Sequence, residues 1–345
     1  MHHFCTYFDS GYLSRGVALH RSLLRHVESF TLHALCLDDD SFNEVTKADL
    51  PKLNPIPLDT FERADPELAS VKPNRSLVEY YFTCTPVLPL YVMDRHPDAE
   101  SISYVDADLY FFCDPAPVFD ALASGSILVI PHRYAPHRAR QFEPYGRYNV
   151  GLVAFGADTN ARACLDAWRR LCLDWCYDRL EPNRYADQKY LDEWPHGFGG
   201  VVELQHPGAN LAPWNLETHT VQKSGHGIHV DAEPLIFHHF HGLKKVGPFL
   251  YDPGFDRYGA PWSPAVLQHI YGPYLSELRR IERSFGTRPD RDLRHAHRAG
   301  DEGLLRRLLY DRTLLSAGPM RAGIHLEPIA RPLLRIRDTV RRAAA

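Results

Sequence analysis

Ser101-Ile-Ser-Tyr-Val-Asp-Ala-Asp-Leu-Tyr-Phe-Phe112 is the stretch that decides how this chain folds. Ile102, Tyr104 and Val105 mark a buried strand, and the run ends by presenting Asp106 and Asp108. Carboxylates at i and i+2 of an extended segment point the same way, so one divalent cation can bind both. In an open α/β sheet the ligand crevice lies outside the carboxyl ends of the strands, which is where this pair emerges. A second segment, Ile236-Phe-His-His-Phe-His-Gly-Leu-Lys-Lys245, is also strand-like and ends in histidines, a glycine and two lysines. Set opposite the aspartates, a histidine and the glycine–lysine turn complete a cage for a metal and a diphosphate. Asp38-Asp39-Asp40 is the useful contrast. It follows the apolar run 32–37 but reads as a solvated turn and helix cap.

Outward from the aspartates, strand-like and helix-like runs alternate. Phe4–Phe8 leads into a run from Leu13 to Leu24 with apolar residues at helical spacing, and Phe30–Leu37 precedes a helix from Ser41. Ser76–Met93 reads as a mostly buried helix, broken or kinked near Pro86 and Pro89. Further strands are expected at Ile102–Val105, Ser126–Ile130 and Tyr148–Phe155, and an amphipathic helix at Ala161–Leu180. This alternation predicts βαβ units and a largely parallel sheet. From about 246 to 264, proline, glycine and aromatics accumulate without period, which predicts an ordered loop or flap. Helical patterns return after 265, with Gly-Pro breaks at 272–273 and 318–319.

Composition narrows the class. The chain has 345 residues, 44% hydrophobic and 24% charged, as in a soluble globular protein. No apolar stretch approaches the roughly 20 residues needed to span a bilayer. The opening Met1–Phe8 has no basic region before an apolar core, so it reads as a first strand rather than a secretion signal. Seven cysteines without a CxxC pair predict buried free thiols in a reducing compartment. The net charge of −4 hides an asymmetry. From Arg279 onward, 16 arginines and no lysine face 8 acidic residues, a surplus of eight, which leaves −12 for residues 1–278. Without interleaved aromatics or a nucleic-acid-binding motif, that tail excludes nucleic acid as partner and predicts either a solvated helix or peripheral contact with an anionic membrane. The expected location is the cytoplasm, at the inner membrane face if the tail acts there.

Taken in order, the motifs resemble a nucleotide-sugar glycosyltransferase of the GT-A fold, in particular family 8, which holds glycogenin and bacterial lipopolysaccharide galactosyltransferases. The likeness covers about residues 1–250 as a series of short motifs. It implies a Rossmann-like α/β domain over 1–264, with a mostly parallel central sheet and a basic helical C-terminal extension over 265–345. Asp106-Ala-Asp108 matches the family's Asp-x-Asp, and His239 matches its third metal ligand. His239, Gly242 and Lys245 keep the family's His-x-x-Gly-x-x-Lys spacing, although Val246 and Gly247 replace the usual proline and tryptophan. The two neighbouring histidines differ: on a strand His241 shares the face of His239, while His238 points away. A carboxylate–imidazole set suits Mn²⁺ better than Mg²⁺, with Mg²⁺ as a substitute. By the same resemblance Phe8, Asp9 and Tyr12 contact the nucleoside, and Arg75 and Thr83 approach the diphosphate. Asn149 and Gly151, in the Tyr148–Phe155 strand, line the donor sugar. Asn210 lies in a further polar–aromatic loop, 208–215, facing donor or acceptor. Asp187-Gln188 resembles the family's Asp-Gln pair, which implies that both hold sugar hydroxyls and that one of them approaches the anomeric carbon.

The activity so implied is transfer of a hexose from a UDP-sugar to a hydroxyl acceptor, with retention and a divalent metal. Bacterial surface glycan synthesis supplies the setting, with a glycan, a lipid-linked sugar or a small molecule as acceptor. Three alternatives remain open at this point. An inverting GT-A transferase would need a carboxylate base near the acceptor, for which Asp187 is available. A sugar-1-phosphate nucleotidyltransferase should carry a basic Gly-rich loop after strand one, which 9–16 fits poorly. A non-catalytic carbohydrate-binding protein would have no use for the metal set.

Overall fold

The computed structural model describes residues 1–247, 249–285 and 315–316. Its centre is a seven-stranded sheet of β1 (His2–Phe8), β2 (Phe30–Cys36), β3 (Leu53–Pro57), β4 (Ser101–Val105), β6 (Ile127–Pro131), β7 (Tyr148–Gly156) and β8 (Val201–Glu203), with the short β5 (Leu109–Phe111) standing outside it. The spatial order is β3-β2-β1-β4-β7-β6-β8. Six strands run in one direction and β7 alone runs against them. Every residue of β4 and β6 is buried, as expected for strands covered on both faces. The expected α/β class and mostly parallel sheet are therefore present.

Alternate residues of β1 build the two halves of the core. Phe4 and Phe8 face α1 (Leu13–His26), where Val17, Leu19 and Leu23 are fully buried. Cys5 and Tyr7 face the opposite layer, made by the helices Leu77–Arg95 and Thr159–Asp174, with Trp168 and Trp194 at its centre. The helix Leu77–Arg95 opens with a Ser76–Glu79 capping box and, contrary to expectation, runs unbroken through Pro86 and Pro89. Burial of Cys84, Val87, Leu88 and Val92 outweighs the two missing backbone bonds. The helix expected to reach Leu180 stops at Asp174 instead. Arg75 takes the freed carbonyls of Leu173 and Asp174, so the chain end is capped by a side chain rather than by further helix.

Past the sheet, the flap expected at about 246–264 is a small β structure, Lys244–Gly247 paired with Leu250–Asp252, followed by a short helix, Phe255–Tyr258. A π-turn at Leu267–Tyr271 then runs directly into the helix Gly272–Phe285, so the break expected at 272–273 is absent. Packing continues across the domain boundary expected at 264. Tyr271, Tyr274, Leu275, Leu278 and Ile281 are buried against α1 and the strand segments, and Glu277 binds Arg21 and Arg25 of α1 at 2.9 Å each. The Gly-Pro break expected at 318–319 and most of the basic tail lie outside the described residues. The seven cysteines are free, six of them buried. No helix among the described residues is long and apolar enough to cross a membrane.

Candidate active site

Strand direction gathers the site. Because β7 runs antiparallel to β4, its beginning lies beside the end of β4: Val105 pairs with Leu152, and the Asp106 amide donates to the Gly151 carbonyl at 2.9 Å. The chain turns through Ala107 and Asp108, not as the extended segment expected, with the Leu109 amide donating to the Asp106 carbonyl at 3.1 Å. It then enters β5, which pairs with the strand Phe237–His239 so that His239 stands opposite Leu109. The Phe240 amide then donates to the Asp108 carbonyl at 3.0 Å. Two segments far apart in sequence are thus fixed in register, and Asp106, Asp108 and His239 each turn one ligand atom inward, all within 4.8 Å of one another. The imidazole is wall and the carboxylates face the cleft: side-chain exposure is 2% for His239, 15% for Asp108 and 30% for Asp106.

His239 Nε2 lies 3.1 Å from Asp108 Oδ1 and 3.6 Å from Asp106 Oδ2. Its Nδ1 lies 3.1 Å from Asn149 Oδ1, which also accepts from the Gly151 amide at 3.0 Å. The backbone donor identifies the Asn149 oxygen as the acceptor, so Nδ1 carries the hydrogen and Nε2 is left to face the carboxylates. The Asn149 amide nitrogen then donates to Gln188 Oε1 at 3.2 Å, and Gln188 Nε2 to the Tyr145 carbonyl at 2.9 Å. One hydrogen-bonded chain therefore runs His239–Asn149–Gln188. Gly151 is needed beside it, because a Cβ there would sit 2.5 Å from Asn149 Oδ1 and 2.6 Å from His239 Nδ1.

Charge is unevenly held. Burial raises the Asp106 carboxyl despite His239 nearby. For Asp108 burial acts the same way, but the charge and hydrogen bond of His239, with His241 and Arg15, together outweigh it and set the group at about 2. Burial would lower His239, yet Asp108 and Asp106 raise it. Two acids and one imidazole with its free nitrogen turned inward form a donor set that fits a divalent cation accepting mixed O and N ligands.

Asp187 and Gln188 join this wall. Asp187 is 5% exposed; burial, reinforced by Asp106 and opposed by the Thr85 hydroxyl, raises its carboxyl to about 7. Ala186 before it holds φ +48°, a conformation costing a non-glycine residue on the order of 1 kcal/mol or more, so the surroundings force the Asp187 position. The Trp168 indole donates to the Asp187 carbonyl at 2.8 Å.

The other expected residues divide. Asn149 and Gly151 lie at the site as described. Asp9 is buried, accepts from the Tyr12 amide at 3.0 Å and lies 3.5 Å from the Tyr81 hydroxyl. Tyr12 is half-buried with the Arg15 guanidinium over its ring. Phe8 is buried beneath α1, its ring where a Cβ on Gly16 would fall. Arg75 stacks on Tyr177 and caps the helix end, and the Thr83 hydroxyl donates to Glu79 within its own helix, so neither is brought to the aspartates. Gly242 has φ +75° with open space around it. Lys245 is buried and ion-paired with Glu282 at 2.7 Å. Asn210 is fully buried at φ +62°, neither amide atom hydrogen-bonded. His238 turns into the core beside Phe240 and Tyr271, while His241 lies at the cleft next to Trp214. Asp38 caps its helix and also accepts from Ser10, as its turn-like context suggested.

Sequence reasoning missed the aromatic wall. His132 and Tyr134 stack at 4.7 Å, Tyr134 and Phe142 at 4.8 Å, and Trp214 and Tyr258 continue the surface to His239. Their scatter over 132–258 left no single motif, although the loop 208–215 with Trp214 and the aromatic-rich stretch 246–264 with Tyr258 each carried part of the signal.

No family model matches the chain. Two proteins of Bacillus subtilis (strain 168), both described as uncharacterized, are similar over most of their length. YfnD is 31% identical over 285 residues, covering 81% of this chain and 89% of that protein. YfnF is 32% identical over 250 residues, covering 70% and 82%. Among solved structures, an active-site mutant of LgtC matches with a TM-score of 0.51 at 14% identity, covering 85% of this chain and 99% of that one. At that identity the likeness shows the fold, and the fold is GT-A.

Proposed function

The chain belongs to one family with YfnD and YfnF, and we propose that it is a metal-dependent glycosyltransferase. On this reading it moves a hexose from a UDP-sugar to a hydroxyl acceptor with retention. The observation that carries the proposal is the convergence of Asp106, Asp108 and His239 within 4.8 Å, tied through Asn149 to Gln188 on the wall of an aromatic cleft. Its position at the carboxyl end of β4, where ligands bind in open α/β sheets, supports this reading.

Asp106, Asp108 and His239 would hold Mn²⁺, or Mg²⁺ in its place, which supplies charge neutralisation to the leaving diphosphate. Asn149 keeps His239 in the tautomer that binding requires. Gln188, oriented by Asn149 and the Tyr145 carbonyl, presents its amide beside the sugar. Asp187 steadies positive charge developing at the anomeric carbon. Trp214, Tyr134 and Tyr258 offer ring faces to the apolar face of an acceptor sugar and help exclude water. Lys245 reaches the diphosphate only by leaving Glu282.

One observation favours a second reading. A buried carboxyl at about 7 suits a general base, so Asp187 could deprotonate the acceptor directly, with inversion. Surface glycan synthesis at a membrane's inner face, with the basic tail on anionic lipid, stays part of the proposal.

The test is a thermal-shift screen of UDP-, GDP- and dTDP-sugars with Mn²⁺, followed by assignment of the product's anomeric configuration by NMR. A stabilising UDP-sugar and a retained anomer support the reading; no stabilisation by any nucleotide sugar contradicts it.

A further inference from the structure

A second cluster lies at the other end of β1. His3 on β1, His33 on β2 and His96, at the C-terminal cap of the helix Leu77–Arg95, each turn one ring nitrogen toward a common point, within 4.8 Å of one another. Register explains the meeting. His3 pairs with Thr31, and His33, two residues further, shares its face of the sheet. The helix Leu77–Arg95 covers that face and delivers His96 as it ends. Ring centroids are 4.5 Å apart for His3–His96, 4.7 Å for His33–His96 and 5.2 Å for His3–His33.

A solvated explanation does not account for the cluster. His3 and His33 are 3% and 1% exposed, and no carboxylate belongs to the group. Burial, reinforced by the neighbouring imidazoles, lowers His3 to about 4 and His33 to about 3, so both keep lone pairs at neutral pH. We propose that His3, His33 and His96 bind a borderline transition-metal cation, Zn²⁺ first, at a site distinct from Asp106, Asp108 and His239. Three imidazoles with no oxygen ligand suit Zn²⁺, whereas Mn²⁺ and Mg²⁺ favour carboxylates.

The geometry needs a small adjustment. His3 Nδ1 and His33 Nε2 are 2.9 Å apart. Two nitrogens on one tetrahedral zinc, each bound at about 2.0–2.1 Å, stand about 3.3 Å apart, so the rings open by a few tenths of an ångström. Asn54 supplies the outer support: its side-chain amide lies 3.2 Å from His33 Nδ1. A half-turn of that amide presents Oδ1 to an Nδ1–H and frees Nε2 for the metal. Half-exposed His96 leaves the fourth position open to water. Bound metal would tie β1 and β2 to the end of the helix that carries Thr85. It would lie about 13 Å along the strand from Tyr7, which lines the cleft.

The test uses the full chain carrying Asp106→Asn and Asp108→Asn, which silences the cleft, titrated with Zn²⁺ by calorimetry. The expected result is one Zn²⁺ per chain, a melting temperature raised by Zn²⁺ but not by Mn²⁺, and at least ten-fold weaker binding when His96→Gln is added. Co²⁺ on the parent chain should give visible ligand-field bands with imidazole ligation, a readout that requires no histidine variant. Equal Zn²⁺ affinity with and without His96, or Co²⁺ bands no different from those of Co²⁺ in water, overturns the site.

Discussion

Asn149 Oδ1 accepts from His239 Nδ1 at 3.1 Å, and this bond joins the Asp106–Asp108–His239 cluster to Gln188 on the wall of the cleft. The same side chain donates to Gln188, so losing it should disturb both together. Asn149→Ala should weaken Mn²⁺ affinity about 10–100-fold, as loss of partners behind a ligand does. It should also lower turnover with saturating metal, because Gln188 loses its support. Calorimetric Mn²⁺ titration and steady-state kinetics at high Mn²⁺ separate the two effects; full recovery of turnover at high metal would show that Gln188 needs no support from Asn149.

Gly151 admits no side chain without moving that bond. Gly151→Ala forces a methyl to 2.5–2.6 Å from Asn149 Oδ1 and His239 Nδ1. The expected cost is about 1–3 kcal/mol of stability, as for overpacking elsewhere, together with weaker metal-supported UDP binding. Chemical denaturation and the UDP titration check both. Wild-type values in each would show that the strand relaxes at no cost.

Asp187 gives a pH prediction. Its native carboxyl stands at about 7, above the ordinary 3.8, because burial disfavours the charge. The unfolded chain releases this proton near 3.8 and the native chain holds it to about 7, so the native state binds more protons between those values. Stability must therefore fall as pH rises through that window, by at most about 1.4 kcal/mol per pH unit. Asp187→Asn should melt higher than wild type at a pH of about 8, above that window, and close to it at about 4, near the window's lower edge, while losing activity. The same melting difference at both pH values would contradict the buried-acid account.

The helix Gly272–Phe285 belongs to the folded unit. A chain ending at Pro264 loses nine buried apolar residues of the core around α1, Val266, Leu267, Ile270, Tyr271, Tyr274, Leu275, Leu278, Ile281 and Leu315, as well as Glu282, the partner of Lys245. At about 1.5–3 kcal/mol for each large apolar side chain, that reaches the whole stability of a domain. The truncated chain should fail to show a cooperative melt by circular dichroism, whereas one ending after Phe285 should still melt cooperatively, lower than the full chain because it lacks buried Leu315 and its pairing with Tyr251. Equal melting of the 264 and 285 chains would make Pro264 the domain boundary after all.

Legibility followed sequence separation. The sheet was readable because β6 is a continuous apolar run, β4 carries Ile102, Tyr104 and Val105, and α1 keeps its helical period. The Asp106–Asp108 pair was readable because it follows the apolar end of β4, although a hydrogen-bonded turn over 106–109 rather than a pleat brings the two carboxylates together. His239 was readable because the resemblance supplied its spacing. Residues whose partners are distant in sequence were not readable. Arg75 looks like a phosphate contact until the carbonyls of Leu173 and Asp174 meet it. Phe8 looks like a stacking face until Gly16 packs on its ring. Lys245 gives no hint of Glu282, which lies on a helix that reads as an appendage. The aromatic wall draws on four separate segments with no shared pattern, and each of His3, His33 and His96 is an ordinary histidine until the sheet register joins them.

Everything proposed for the cleft depends on Asp106, Asp108 and His239 holding one cation that supports donor binding. Calorimetric titration of UDP at fixed Mn²⁺ tests it on the wild type, Asp106→Asn, Asp108→Asn, His239→Ala and His238→Ala. Metal-dependent UDP binding should vanish in both aspartate variants and fall at least ten-fold in His239→Ala, by comparison with the roughly 10–100-fold typical even of outer partners. His238→Ala, whose ring lies in the core, should bind UDP normally and melt lower. Unchanged UDP affinity in both aspartate variants, or normal binding in His239→Ala beside lost binding in His238→Ala, would contradict the metal assignment.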